Sequence, residues 1–385
     1  MSLGASTRPH DLIAVAPDPT AADDIVLADY GGAWIGAVLP DLLAGRTPAG
    51  LPGWVRDATP LVLLLIDGLG WRLYQRFGAL MPALADFTGE VITSVVPSTT
   101  AAALPSLTTG RTPGEHGVLG DRMRVGGVVL NVLQWSVPDG PPPVPASVQP
   151  HVPFAGRPVP VVTNAKFAGS GFSEAHLRGA PFHGYADAGE LVGRVGEAIR
   201  AGAPVVYAYF PDADRMAHEH GFDHDAFAAA LTAADAVVAG IRRHVPGGGA
   251  LVVTADHGHV MVDPARRVDL TPLAPLIGAM SGSARLRYLH ARPGAARELL
   301  AAARELAGQH AWVLDRGELV ASGWLGPSTS PMIAGRVGDV VLAARDAVTL
   351  VDPAEGRLNE LVTVHGSITA DEMLVPLLVA RGPAP

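Results

Sequence analysis

From Leu61 to Ile66 every position is aliphatic, and the run stops at Asp67-Gly68. A strand that is apolar on both faces is one covered on both sides, as in a parallel sheet between helical layers. Two further runs repeat the pattern: Val205 to Phe210 ends at Pro211-Asp212, and Leu251 to Thr254 runs into Ala255-Asp256-His257-Gly258. Helical periodicity follows or separates them over Glu190 to Ala201, Asp225 to His244 and Thr369 to Ala380. Strands and helices in alternation predict a large α/β domain of the doubly wound type. Each strand hands over to an acidic residue at its carboxyl end, the edge at which such sheets bind ligands.

The pattern changes in two places. Between Asp139 and Pro160 proline becomes dense, which predicts an inserted, extended surface excursion rather than core. From Leu286 the order becomes strand (Leu286 to Ala291), helix (Ala295 to Ala307) and strand (Ala311 to Leu314), a small α+β unit. The expected layout is therefore a core of residues 1–262 and 361–385, with a cap lobe formed by residues 263–360. No internal repeat of solenoid period is present.

Composition narrows the chemistry. With 385 residues the chain exceeds what one small core needs, consistent with two lobes. Twenty-eight basic against 37 acidic residues leave a net charge of −9, so the global field favours neither a nucleic-acid polymer nor an anionic membrane as partner. An anionic small molecule would need a local positive centre. The absence of cysteine excludes disulfides, thiolate zinc sites and cysteine nucleophiles. Met1 to Ile13 carries Arg8, His10 and Asp11 and does not read as a signal peptide. The longest apolar runs fall far short of the roughly 20 residues of a membrane helix, and the expectation is a soluble, cytoplasmic protein.

Four segments carry candidate chemistry. Pro97-Ser98-Thr99-Thr100 places hydroxyls just before a short helical stretch that Gly110 closes. Such residues cap helices, but the same geometry aims amides and dipole at an anion, so a hydroxyl there can attack a held phosphate. Asp214 and His218 stand at i and i+4, on one face of a helical turn after a buried strand, as a surface pair or as metal ligands. Asp256-His257-Gly258-His259 follows another buried strand, and Gly258 permits the sharp bend that would let both Asp256 and His257 face one ion. His365 in Val364-His365-Gly366-Ser367 is, by itself, as well read as a structural histidine. Together, Asp67, Asp214, Asp256, His218, His257 and His365 offer donors for two divalent ions, with Thr100 as the bridging nucleophile. Three carboxylates against the four positive charges of two ions leave a positive centre that holds phosphate. Oxygen and nitrogen donors without sulfur suit zinc, with manganese as the other option.

The order of these motifs resembles the alkaline phosphatase superfamily, and within it the nucleotide pyrophosphatase/phosphodiesterase branch. Asp67-Gly68 is similar to its first metal-ligand motif. Pro97 to Thr100, followed by Thr109-Gly110 and Pro113-Gly114-Glu115-His116-Gly117, is similar to its nucleophile motif, whose spacing selects Thr100 over Thr99. The resemblance extends to Asp214 with His218, to Asp256-His257-Gly258 and to His365-Gly366. It implies a mixed sheet sandwiched between helices with a small inserted α+β cap. It also implies one ion at Asp67, Thr100, Asp256 and His257, a second at Asp214, His218 and His365, and catalysis through a phospho-threonine. The expected substrate is a small phosphorylated molecule, a nucleotide being one candidate.

The sequence departs from the family where Asn often follows the His-Gly stretch: Asp121 stands there. Either Asp121 turns away and Arg122, Arg124 or backbone amides take its place, or the substrate is not the usual diester. A phosphomonoesterase, a phosphonate hydrolase and a catalytically silent metal-binding protein are the alternatives. A sulfatase is excluded because no Cys/Ser-x-Pro-x-Arg motif stands at the nucleophile, and Asp67-Gly68-Leu69-Gly70 is only a partial dinucleotide signature. His220 and His259 flank ligand motifs, either as residues orienting ligands or phosphate or, the plainer reading, as solvent-exposed histidines.

Overall fold

The computed structural model describes residues 25–383, without the side chains of residues 264 and 357–359; the Met1 to Ile13 reading lies outside the described residues. A seven-stranded mixed sheet forms the centre. Its strands run in the order Thr88–Thr93, Leu374–Arg381, Ala250–Thr254, Leu61–Ile66, Val205–Phe210, Val161–Asn164 and Phe182–Tyr185. The last five are mutually parallel, while Leu374–Arg381 runs antiparallel to both of its neighbours. Leu61–Ile66 lies between Ala250–Thr254 and Val205–Phe210, and every residue of all three strands is buried, which is why none shows polar alternation. Because the three strands are adjacent and parallel, their carboxyl ends converge, bringing Asp67, Asp214 and Asp256 to one edge.

The helices Ala188–Arg200 and Asp225–His244 lie close to the ranges that periodicity predicted. Thr369 to Ala380 does not. Only Ala370–Met373 is helical, and Leu374–Arg381 is an interior strand of the sheet. An apolar run of this length has no period that separates a buried strand from a buried helix. Pro376 stands just before the first residue paired with Ala250–Thr254, so its missing N–H breaks no bond of that ladder.

A second, six-stranded antiparallel sheet runs Ala311–Asp315, Val340–Ala344, Leu286–Ala291, Ile277–Gly282, Arg122–Val125, Val128–Asn131. Four of its strands come from the expected cap lobe, residues 263–360; the 122–131 hairpin comes from far earlier in the chain. Along Val340–Ala344, Val341 and Ala343 pack with Val96, Leu119 and Met373, whereas Val340, Leu342 and Ala344 pack beneath the helix Ala296–Ala307. Both faces of this sheet are thus covered. The proline-dense stretch is exposed at its start but turns inward, burying Val148 and Phe154 in the main core. Those apolar residues outweigh the prolines around them. Among the described residues no helix is long and apolar enough to cross a membrane.

Candidate metal and phosphoryl-transfer site

The helix Thr100–Thr109 begins at Thr100 and ends at Gly110, whose φ of 70° is the left-handed closure expected of a glycine cap. Thr99, at the N-cap, makes no side-chain capping bond, so the hydroxyls here are not consumed by capping. Thr100 Oγ1 lies 3.0 Å from His257 Nε2 and 3.4 Å from Asp67 Oδ1, at the positive end of the helix. His116 fixes that helix from behind: Val118 N–H donates to its Nδ1, so its Nε2–H donates to Ser106 Oγ. Burial pushes the His116 imidazole down to about 3, which keeps it in this neutral form.

Asp67 follows the first strand and is 2 % exposed, and Asp256 and His257 are fully buried. His257 Nε2 lies 3.5 Å from both Asp67 Oδ1 and Asp256 Oδ2. Burial, then the charges of Asp256 and Asp214, raise the Asp67 carboxyl well above its ordinary range. Asp67 also accepts a short hydrogen bond from the Tyr209 hydroxyl. Tyr209 was hidden in the sequence because it sits within an apolar strand. Gly258 serves differently from expectation: its backbone is not left-handed, and glycine is needed because a Cβ would strike the Asp371 carbonyl.

Asp214 and His218 share a face of the helix Asp212–His220, with Asp214 Oδ1 3.3 Å from His218 Nε2. His365 Nε2 is 3.2 Å from His218 Nε2, and the His365 ring stacks on His257 at 3.6 Å between centroids. Burial opposes ionisation of Asp214, but His218 and His259 outweigh it and hold the carboxyl well below its usual range. All the sequence-selected residues, Asp67, Thr100, Asp214, His218, Asp256, His257 and His365, therefore meet at one place.

Two observations bear on what this cluster can hold. Its histidines place Nδ1 against backbone carbonyls: His218 against Thr363, His365 against Ser98 and His257 against Gly258. A carbonyl only accepts, so each Nδ1 carries the proton and each Nε2 turns a lone pair inward. Second, Asp214 Oδ1 and Asp256 Oδ2 are buried with no hydrogen-bond partner. Inward lone pairs and orphaned carboxylate oxygens repel one another unless a cation lies between them. Three such Asp/His groups lie together: Asp67, Asp256, His257; Asp214, His257, His365; and Asp214, His218, His259. The residues present fit divalent ions.

Residues 61–368 match the model of the Type I phosphodiesterase / nucleotide pyrophosphatase family. The chain belongs to that family. The fold agrees: human ectonucleotide pyrophosphatase/phosphodiesterase 5 superposes with a TM-score of 0.64 at 15 % identity, covering 83 % of this chain and 87 % of that one. A murine form of that protein, inactive and in complex with AMP, gives 0.63 at 15 % identity over 83 % and 87 %. Phosphonoacetate hydrolase from Sinorhizobium meliloti 1021, in complex with phosphonoformate, gives 0.59 at 21 % identity over 86 % and 91 %. A 2,3-bisphosphoglycerate-independent phosphoglycerate mutase from Ruegeria sp. (strain TM1040) is 35 % identical over 108 residues, a quarter of this chain; the match spans only 20 % of the mutase. This family, within the alkaline phosphatase superfamily, is one of metal-dependent phosphoryl hydrolases, and the Asp/His clusters of this chain could bind a metal.

Two clefts open on Thr100. One, of about 220 Å³, is mainly apolar and includes Leu104, Leu133, Phe167, Phe172 and Tyr209. Most of the residues bordering the other, of about 380 Å³, are polar or charged, among them Asp121, Arg122, Asn131, Gln134 and Ser283. Asp214 and Arg215 border both. Asp121 does not turn away: it lines the polar cleft, its Oδ1 is buried and unpartnered, and burial pushes its carboxyl up to about 6. Arg122 does not replace an amide as a phosphate donor, because Asp352 and Glu355 hold its guanidinium at 3.1 and 3.0 Å. His259 is 3 % exposed, which corrects its reading as a surface residue; His220 keeps that reading, half-exposed and stacked on His224.

Proposed function

We propose that this chain hydrolyses a phosphodiester or a nucleotide-type pyrophosphate, with Thr100 as the nucleophile. The observation that carries this reading is the meeting of two separate clefts at Thr100. A diester has two substituents to place, one on each side of phosphorus, whereas a monoester has one. Because Asp121 faces this site, the diester is not expected to be the family's usual one; a carboxylate there nonetheless opposes a dianionic monoester more than a singly charged diester. The apolar cleft, with Phe167, Phe172 and Tyr209, suits a planar or aromatic substituent such as a nucleobase.

Asp67, Thr100, Asp256 and His257 would hold one divalent ion, and Asp214, His218 and His365 the other, with zinc favoured by the histidine content. When bound, two ions supply positive charge that lowers the hydroxyl pKa and offsets charge on the phosphoryl oxygens. The Thr100 oxygen forms its bond to phosphorus as the bond to the leaving oxygen breaks in line. The product is a phospho-threonine that still carries one substituent of the substrate, and the other substituent leaves as an alcohol or phosphate that takes up the Thr100 proton. Water then attacks the same phosphorus, the Thr100 Oγ–phosphorus bond breaks, and the hydroxyl recovers a proton. The Thr100 helix contributes its N-terminal dipole to the phosphoryl oxygens throughout.

The test compares a chromogenic phosphodiester with the matching monoester on metal-stripped protein resupplied with zinc or manganese. Diester turnover should exceed monoester turnover, and Thr100→Ala should lower kcat by about a thousandfold or more while metal content stays normal. Monoester preference would make the enzyme a phosphatase, and turnover retained in Thr100→Ala would reject the covalent route.

A further inference from the structure

We propose that His259 is a fourth protein donor to the ion held by Asp214, His218 and His365, giving that site three imidazoles and one carboxylate. The inference rests on the two-ion reading above and adds to it a ligand outside that set.

His259 turns inward beneath Gly68, whose φ of 71° and missing Cβ leave room for the imidazole; a side chain at 68 would run into its Nε2. Its ring lies nearly perpendicular to His218 (centroids 4.8 Å apart, 80°) and to His365 (5.2 Å, 80°), and it offers a donor atom in one group with Asp214 and His218. His259 Nε2 is 3.0 Å from Asp214 Oδ1, yet neither atom has a hydrogen-bond partner, because an N–H on Nε2 would point past the carboxylate oxygen. A buried imidazole nitrogen and a carboxylate oxygen so close and both unsatisfied are poorly explained as a hydrogen-bonded pair. They are well explained as two corners of a coordination shell. Donors bound tetrahedrally at about 2.0–2.2 Å stand roughly 3.3–3.6 Å apart. The spacings from Asp214 Oδ1 to His259 and His218, 3.0 and 3.3 Å, lie at or just below that edge.

The tautomer is consistent. His259 Nδ1 is 3.2 Å from Thr363 Oγ1, a hydroxyl able to accept the Nδ1–H and so leave the Nε2 lone pair facing the cluster. The same residue's carbonyl takes the Nδ1 proton of His218, so Thr363 orients two imidazoles at once. A donor set richer in nitrogen selects zinc, cobalt or nickel over magnesium and manganese, so this site should be the tighter and more selective of the two.

The experiment titrates metal-stripped wild type, His259→Ala and Thr363→Val with Zn2+, following stoichiometry by calorimetry and elemental analysis, and records the visible absorption of the Co2+ forms. Wild type should take up two ions. His259→Ala should keep one site unchanged, lose about a thousandfold or more in affinity at the other, and shift the Co2+ band as a donor is lost. Thr363→Val, which keeps the carbonyl and removes only the hydroxyl, should weaken the same site by a smaller factor. A loss of at most a hundredfold in His259→Ala with an unchanged Co2+ band would make His259 a positioning residue and overturn the proposal. Retention of the unaffected site shows that the variant is folded. Failure of wild type to take up any ion would defeat the two-ion reading itself and is a separate outcome.

Discussion

The two halves of the site are built in different ways. Asp67, Asp256 and His257 leave the ends of adjacent parallel strands, and their side chains are 3 %, 0 % and 0 % exposed. Asp214 and His218 lie on a helix, each 19 % exposed, and depend on segments far away in the chain: Thr363 for His218, and His365 itself. The first half inherits its geometry from sheet register, which the backbone ladder enforces. The second is assembled by contacts between pieces that no local pattern joins. The strand-end half should therefore tolerate perturbation of the 361–373 segment, and the helix half should not.

Glu372 offers the strongest way to break that difference. It forms a fully buried bidentate pair with Arg285, accepts the Ser367 N–H, and its own carbonyl accepts the Gly258 N–H, so it ties the His365 segment to the Asp256 turn. Removing one partner of such a pair costs about 3–5 kcal/mol. Glu372→Gln should lower the denaturation midpoint accordingly, and any folded fraction should lose the ion of the Asp214 half first. Equal loss from both halves would remove the distinction.

Tyr209→Phe probes the other side. It deletes only the hydroxyl that donates to Asp67. Partners behind ligands of this kind are worth about ten- to hundredfold in metal affinity. The Asp67 half should weaken by that factor while the Asp214 half is unmoved, measurable in the same Zn2+ titration.

The smallest expected effect concerns His116, which holds the Thr100 helix through Ser106. Its imidazole is depressed to about 3 by burial, below the roughly 6.5 of the unfolded chain. The unfolded state thus binds a proton first, so this contribution is complete above about pH 6.5 and is lost progressively as pH falls towards 3. From pH 7 to 5.5 the loss is about 1 kcal/mol. His116→Gln should flatten that part of the stability profile, read from denaturant midpoints at each pH, and an unchanged slope would show that His116 titrates no differently in the fold.

Much of the first half was legible in the sequence. Leu61–Ile66 and Val205–Phe210 form the strands their apolar runs announced, and the acids after them lie where parallel strand ends collect ligands. Thr100 was singled out too, as a hydroxyl before a glycine-closed helix whose spacing resembles the family's nucleophile motif. Less could be read of the second half. His365 looked ordinary by itself and His259 looked exposed; in the first half, only Tyr209 was hidden, as one residue of an apolar strand.

The sequence by itself determined where buried strands stop, which residues have donor atoms, and that sulfur chemistry is absent. Only the tertiary structure decided that Leu374–Arg381 is a sheet strand, that the 122–131 hairpin extends the second sheet, and that Asp121 faces a cleft. It also decided which carbonyl fixes each imidazole. The physical reason is range. Periodicity and capping act over a few residues, whereas burial on a second face, strand pairing and the orientation of a ring nitrogen depend on atoms hundreds of positions away, as the Ser98 carbonyl that holds His365 shows.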